Sequence, residues 1–117
     1  MEIDDLRYYM LRKRGVLEDR PFGPEYLVYK VGGKMFALLA VTLDPLRMNL
    51  KCDPGDALMF RDIYPAVRPG YHMNKRHWNT VILDGTLPEE LVHAMIDDSY
   101  DLVVRGLPKH LREELNQ

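Results

Sequence analysis

Residues 26–41, YLVYKVGGKMFALLAV, decide the fold, because two β-prone runs flank a pair of glycines. The runs YLVYKV and KMFALLAV are rich in β-branched, aromatic and aliphatic residues, which favour strands. Gly32 and Gly33 between them tolerate the positive φ angles of a type I′ turn. The stretch therefore predicts a β-hairpin, and with it an antiparallel sheet.

The segment RMNLKC, residues 47–52, predicts a third strand, because its apolar and polar residues alternate. Side chains along a strand point to opposite faces in turn. The two sets are Met48, Leu50 and Cys52 on one face, and Arg47, Asn49 and Lys51 on the other. One face of the sheet is thus expected to be buried and the other polar.

Helices are predicted before and after these strands. Residues 2–13 carry Ile3, Leu6 and Met10 at helical spacing, and Gly15 ends the pattern. The carboxylate of Asp53 followed by proline is typical of a helix start, so residues 53–64 predict a second helix.

Residues 86–117 predict a long third helix and a short terminal one. Thr86 and Glu89 have the spacing of a capping box. The apolar stripe that follows consists of Leu91, Val92, Met95, Ile96, Leu102 and Val103. Gly106 is expected to end this helix, and Pro108 to open the last one.

The remaining segments predict a loop and a second hairpin. GVLEDRPFGPEY, residues 15–26, holds too much proline and glycine for a regular element. Residues 71–74 and 78–83 are expected to be paired strands, with Lys75, Arg76 and His77 at or beside their turn. The predicted order is α-β-β-β-α-β-β-α, an α/β (α+β) fold with a two-layer arrangement: an antiparallel sheet covered by helices on one face.

Length and composition bound the class of protein. The 117 residues predict a single domain, 1–117. A formal net charge of −2 excludes a globally basic nucleic-acid binder, so any phosphate contact requires a local patch. No stretch approaches the roughly 20 apolar residues of a membrane span, and the acidic N-terminus MEIDDLRYYM is unlike a signal peptide. A cytoplasmic location is expected.

Motifs for catalysis or metal binding find little support. The chain has no G-x-S-x-G or H-E-x-x-H motif. Cys52, His72 and His77 are metal-competent residues, but their spacing matches no structural zinc site. We therefore expect a protein that is not an enzyme and has neither a metal site nor a cofactor.

Four blocks of sequence carry a family resemblance: RPFGPEYLVYKVGGKMFALL (20–39), NLKCDP (49–54), YPAVRPGYHMNKRHWNTVILDG (64–85) and SYDLV (99–103). Together they resemble the MmcQ/YjbR family over nearly the whole chain. The resemblance implies a two-layer α/β fold of the same element order, described as a double-wing architecture with its hairpins as wings. It also implies DNA binding, the label that the family commonly carries. Candidate surface positions within these blocks are Lys51, Tyr71, His72, Asn74, Lys75, Arg76, His77 and Trp78.

Two functional hypotheses follow. The first is weak, salt-dependent DNA binding, in which cations contact phosphates and the rings of Tyr71, His72 and Trp78 offer stacking surfaces. The cations are Lys30, Lys34, Lys51, Arg68, Lys75 and Arg76. The second is a module that binds an unknown protein or a small ligand on the open sheet face. Two simpler interpretations stay open. The charges of the hairpin tip could serve only to discourage aggregation, and Trp78 could belong to the hydrophobic core.

Overall fold

One antiparallel sheet and a layer of helices make up the computed structural model, which describes residues 1–117. The strands are β1 Val16–Asp19, β2 Tyr26–Val31, β3 Lys34–Ala40, β4 Leu46–Lys51, β5 Val67–Pro69 and β6 Trp78–Leu83. The helices are α1 Ile3–Leu11, α2 Pro54–Ile63, α3 Glu89–Arg105 and α4 Lys109–Leu115. Across the sheet the order is β1-β2-β3-β4-β6-β5, so β1 and β5 are the outer strands. The predicted two-layer α+β class is confirmed.

The central hairpin forms as its glycines predict. Gly32 and Gly33 have φ angles of 58° and 79°, and Val31 is paired with Lys34 across the turn. Alternation then directs Leu27, Tyr29 and Val31 of β2 towards the helices, where all three are buried. They pack in one hydrophobic core with Leu6 and Met10 of α1 and with most of the apolar stripe of α3, from which Leu102 is absent.

Ser99, a buried residue of α3, forms hydrogen bonds to backbone groups at an irregularity in the sheet. Tyr29 pairs with Ala37 but Lys30 pairs with Met35, so Phe36 is an extra residue in β3. The Ser99 hydroxyl accepts a hydrogen bond from the N–H of Lys51 (2.8 Å) and donates one to the carbonyl of Phe36 (2.5 Å). It thereby satisfies backbone groups on both β3 and β4.

The segment 15–26 was predicted as loop throughout, but its first part is strand β1. Glu18 explains why β1 is held against the sheet: Arg7 donates two hydrogen bonds of 2.9 Å to its carboxylate, and the Tyr29 hydroxyl donates a third of 2.8 Å. The bonds from Arg7, opposed by burial and aided by Tyr29, lower the pKa of Glu18. Of the proline and glycine residues that indicated a loop, Gly15 lies before this strand, and Pro21, Gly23 and Pro24 lie after it.

The second hairpin was predicted with the wrong first strand. Residues 71–74 are not a strand; β5 is Val67–Pro69, and it pairs with β6 from Val67↔Val81 to Pro69↔Asn79. Residues 70–77 form an irregular segment, here called the cover loop. His72 in it has a φ angle of 58°, which an extended strand cannot contain. Lys75, Arg76 and His77 therefore belong to this loop and not to a tight hairpin tip.

The helix ends match the sequence in part. Asp53 caps α2 by accepting hydrogen bonds from the N–H groups of Gly55 and Asp56, as predicted. The capping box at α3 is wrong: Pro88 is the N-cap, and the Thr86 hydroxyl donates to Asp84 instead (2.6 Å). Gly106 ends α3 as expected.

None of the four helices combines the length and the apolar character needed to cross a membrane.

Candidate functional site

A cleft of about 790 Å³ lies on the sheet face that the helices leave uncovered. Strands β2, β3, β4 and β6 supply its floor, which includes Leu38, Asn49 and Thr80. The cover loop lines it with residues 71–74, and Phe22 and Leu43 line it from two other connections. Nine of its 14 lining residues are hydrophobic, and none belongs to a helix. We call this feature the open-face cleft.

The floor follows from strand alternation and register. Leu38 of β3 is paired with Asn49 of β4, and Asn49 is paired with Thr80 of β6, so these three side chains form one row across the sheet. Arg47, two residues before Asn49, lies on the same face and also lines the cleft. This is the face that the sequence predicted to be polar.

Asn49 departs from the expectation for that face, because it is buried while Arg47 is exposed and Lys51 is half-buried. The cover loop explains the difference. The Asn49 side-chain amide donates to the carbonyl of Tyr71 (3.3 Å), and the N–H of Tyr71 donates to the Thr80 hydroxyl (3.0 Å). That hydroxyl in turn donates to the Asn49 amide oxygen (2.5 Å). These bonds anchor the cover loop to the sheet.

Arg61 of α2 anchors the other end of the cover loop. Its Nε donates to the amide oxygen of Asn79 (2.6 Å), and its terminal nitrogen donates to the carbonyls of Trp78 (3.2 Å) and Lys75. Asn79 is buried, with 3% of its surface exposed, and also donates to the carbonyl of Ala57 (3.4 Å). Because a guanidinium offers several donors in a fixed plane, one side chain can bind all these acceptors.

The structure brings only some of the predicted site residues into the cleft. Tyr71, His72, Asn74 and Trp78 line it. Tyr71 exposes 66% of its surface, and the centroid of its ring lies 4.0 Å from that of the His72 ring. Trp78 is half-buried and lies outside the hydrophobic core, so it is not a core residue. The other predicted positions, Lys30, Lys34, Lys51, Arg68, Lys75, Arg76 and His77, do not line the cleft.

Most of the predicted cations lie at one end of the sheet. Lys30 and Lys34 flank the turn of the central hairpin, and Lys51 ends β4 opposite Trp78, where β6 begins after Lys75 and Arg76. Lys30 forms an ion pair with Asp19 (3.3 Å), and Lys75 donates to the carbonyl of Gly70 (3.3 Å). Arg68 lies apart, on the outer strand β5, where it donates to the carbonyl of Pro65 (3.2 Å). The hypothesis that these cations contact phosphates stays a prediction.

Sequence reasoning missed several lining residues, among them Phe22, Met35, Leu38 and Met73. Phe22 and Met73 lie in loops, where spacing carries no information about which face they reach. Leu38 is in a continuous apolar run, and such a run does not reveal which of its residues turn away from the helices. The usable signal was the alternation of β4, which placed Arg47 and Asn49 on the open face.

Cys52 is separate from the cleft. It lines a small pocket of about 20 Å³ beside Phe60 and Asp98, on the side of the sheet that the helices cover. Burial, followed by the nearby carboxylates of Asp56 and Asp53, raises the pKa of its thiol to about 11. The thiol is therefore protonated at neutral pH and supplies no reactive thiolate.

Comparison with known proteins shows to which family the chain belongs. The model of the YjbR family matches residues 11–102. The chain belongs to the YjbR family. The resemblance carried by the four sequence blocks is thus confirmed. Family membership accounts for the common sheet and helices, and it leaves the function of the cleft to be argued from its residues.

Relatives of this YjbR-family chain include two proteins that are described as uncharacterised. YbdF of Escherichia coli O157:H7 is 47% identical over 89 residues, which are 76% of this chain and 73% of that protein. YjbR of Escherichia coli K12 is 33% identical over 117 residues, 100% of this chain and 99% of that protein.

Solved structures show the same fold. The crystal structure of the Deinococcus radiodurans protein DR2400 has 45% sequence identity and a TM-score of 0.93, and the match covers 98% of this YjbR-family chain and 88% of that one. A crystal structure of a protein from Pseudomonas syringae has 31% identity and a TM-score of 0.76, covering 87% of this chain and 98% of that one.

Proposed function

We propose that this protein is a binding module that holds a small molecule in the open-face cleft. The observation that carries the proposal is the cleft itself, whose volume of about 790 Å³ and mainly hydrophobic lining match small-molecule sites. The cover loop supports the same conclusion, because hydrogen bonds at both of its ends hold it in place beside an apolar floor. A preformed site loses little ordering entropy when a ligand binds.

The proposed role is binding without catalysis. General acid–base or nucleophilic chemistry most often uses a carboxylate, a thiolate or a histidine held by a partner. The residues that line the cleft include no aspartate, glutamate or cysteine. His72 is the one histidine among them, and it lies against the ring of Tyr71. The lining is therefore suited to apolar contact and hydrogen bonding.

The neutral fluorophore N-phenyl-1-naphthylamine tests this proposal. Trp78 is the only tryptophan and lines the cleft, so energy transfer from it reports binding of the dye, and two variants show whether the dye is in the cleft. Leu38→Gln places an amide on the floor and is expected to weaken binding by about fivefold. Leu17→Gln on β1, a strand that does not line the cleft, is the matched control and is expected to leave binding unchanged. A folded wild-type protein that binds no dye, or equal binding by both variants, contradicts the proposal.

A second candidate function is nucleic-acid binding, and the grouping of cations at one end of the sheet favours it. Lys34, Lys51 and Arg76 form no ion pair within the chain, so their charges are available to phosphates. The exposed ring of Tyr71 is a surface on which a base can stack. Binding of this kind is expected to be weak and to fall as salt rises.

Fluorescence anisotropy with labelled duplex and single-stranded DNA at two salt concentrations separates this candidate from the first. The double variant Lys75→Ala/Arg76→Ala is expected to bind more weakly, and its log–log salt slope to fall by about one unit for every phosphate that the variant no longer neutralises. Lys109→Ala/Arg112→Ala on the exposed helix α4 removes the same charge elsewhere and serves as the control. Absence of binding at low salt retires the nucleic-acid hypothesis.

A further inference from the structure

Arg47 is the only permanently charged residue that lines the open-face cleft, and the lining includes no acidic residue. Its side chain is exposed on β4, and it forms no ion pair with any carboxylate of the chain. By contrast, Arg7 and Lys13 both bind carboxylates. The positive charge of Arg47 is therefore left for a partner from outside the chain.

The other polar groups of the cleft also favour an acceptor as the partner. Asn49 and Thr80 already bond to each other and to the cover loop, and the Asn74 side-chain oxygen accepts from the N–H of Arg76 (3.0 Å). The guanidinium of Arg47 and the indole N–H of Trp78 are donors only. A cleft that offers donors and lacks carboxylates selects a ligand that supplies acceptors, and an anion does so most strongly.

Apolar surroundings strengthen such a contact. Across the sheet Arg47 is paired with Ala40, which lines the cleft, and with Ile82, and Leu43 is a further apolar lining residue. An ion pair next to a low-dielectric wall is screened less than one in open water. The binding of an anion at this position is thus favoured by both charge and environment.

Rings elsewhere in the cleft indicate the shape of the rest of the ligand. Tyr71 and His72 lie in contact with their planes inclined by 49°, and Trp78 and Tyr26 contribute further rings. Aromatic side chains offer flat apolar faces that bind planar molecules by offset stacking. The single charge of the lining matches one anionic group, whereas a nucleic acid requires a series of cations along its backbone.

We propose that the ligand of the open-face cleft is a planar, apolar small molecule with one anionic group, and that Arg47 binds this group. The inference rests on the proposed function, because it assigns a ligand class to the same site. Arg47 supplies affinity and orientation, and the rings and the apolar floor hold the body of the molecule.

Two dyes with the same ring system test the assignment. 8-Anilinonaphthalene-1-sulfonate is the anionic counterpart of neutral N-phenyl-1-naphthylamine, and both accept energy from Trp78. We expect the wild-type protein to bind the anionic dye more tightly. Arg47→Gln is expected to weaken the anionic dye by about tenfold and to change the neutral dye by less than about twofold. Arg47→Lys keeps the charge without the bidentate fork and is expected to be intermediate.

Arg12→Gln is the matched control, because Arg12 is an arginine beside α1 that contacts Tyr8, away from the cleft. It is expected to affect neither dye. If Arg47→Gln leaves the anionic dye unchanged, or weakens both dyes equally, the assignment of an anionic ligand is overturned while binding of the neutral dye still supports the cleft as a site. If a folded wild-type protein binds neither dye, the proposed function itself fails, and the anionic ligand fails with it.

Discussion

Replacing Arg61 by alanine is expected to lower the free energy of unfolding by about 3 kcal/mol, because it leaves a buried amide oxygen and two carbonyls without their charged donor. The amide belongs to Asn79, and the carbonyls belong to Lys75 and Trp78, at the end of the cover loop. The cover loop should loosen as a result. Urea unfolding measures the first effect, and hydrogen exchange of residues 70–78 measures the second.

Two further variants separate the hydrogen bonds of Arg61 from its charge. Arg61→Lys keeps the charge but not the planar set of donors, so it is expected to recover only part of the stability. Arg68→Ala removes an exposed arginine that makes one hydrogen bond, to Pro65, and is expected to change stability by less than about 0.5 kcal/mol. If Arg61→Ala matches Arg68→Ala in both measurements, Arg61 does not anchor the cover loop.

Replacing Ser99 by alanine is expected to lower the free energy of unfolding by about 2 kcal/mol, although it removes a single oxygen atom. That oxygen bridges the N–H of Lys51 and the carbonyl of Phe36 at a place fully closed to solvent. Without it, the part-buried N–H of Lys51 and the buried carbonyl of Phe36 lose this partner. The midpoint of urea unfolding should fall while its slope stays constant, since the surface exposed on unfolding is unchanged.

Thr86→Ala is the control for Ser99, because it removes another hydroxyl, one that bonds only within an exposed turn. Its effect is expected to stay within about 0.5 kcal/mol. Equal stability of Ser99→Ala and the wild type would show that the bulge of β3 does not need the bridge.

The elements predicted most accurately from the sequence are those with a strong local signal. Gly32 and Gly33 indicate the central hairpin, and Asp53 with Pro54 indicates the start of α2, because each sets the backbone by itself. The predictions were wrong where contacts between residues distant in the sequence determine the local structure. Strand β1 depends on Arg7 binding Glu18 eleven residues away, and no pattern within residues 16–19 shows that contact.

The site was predicted less fully than the fold. Tyr71, His72, Asn74 and Trp78 were named as candidate positions within the family-like block of residues 64–85, and the structure brings all four into the cleft. Their surroundings could not be predicted, because residues 71–74 of the cover loop were interpreted as a strand. A strand would have pointed Tyr71, His72 and Asn74 alternately to opposite faces, whereas the loop places all three along the cleft.

The two outer strands of the sheet also determine how copies of this chain can meet. β1 has four residues and β5 has three, and β5 ends in Pro69, which has no N–H group to offer. Each edge of the sheet therefore offers a neighbouring molecule only a few backbone N–H and C=O groups for strand pairing. Fibril growth by edge-to-edge stacking of the sheet is therefore disfavoured.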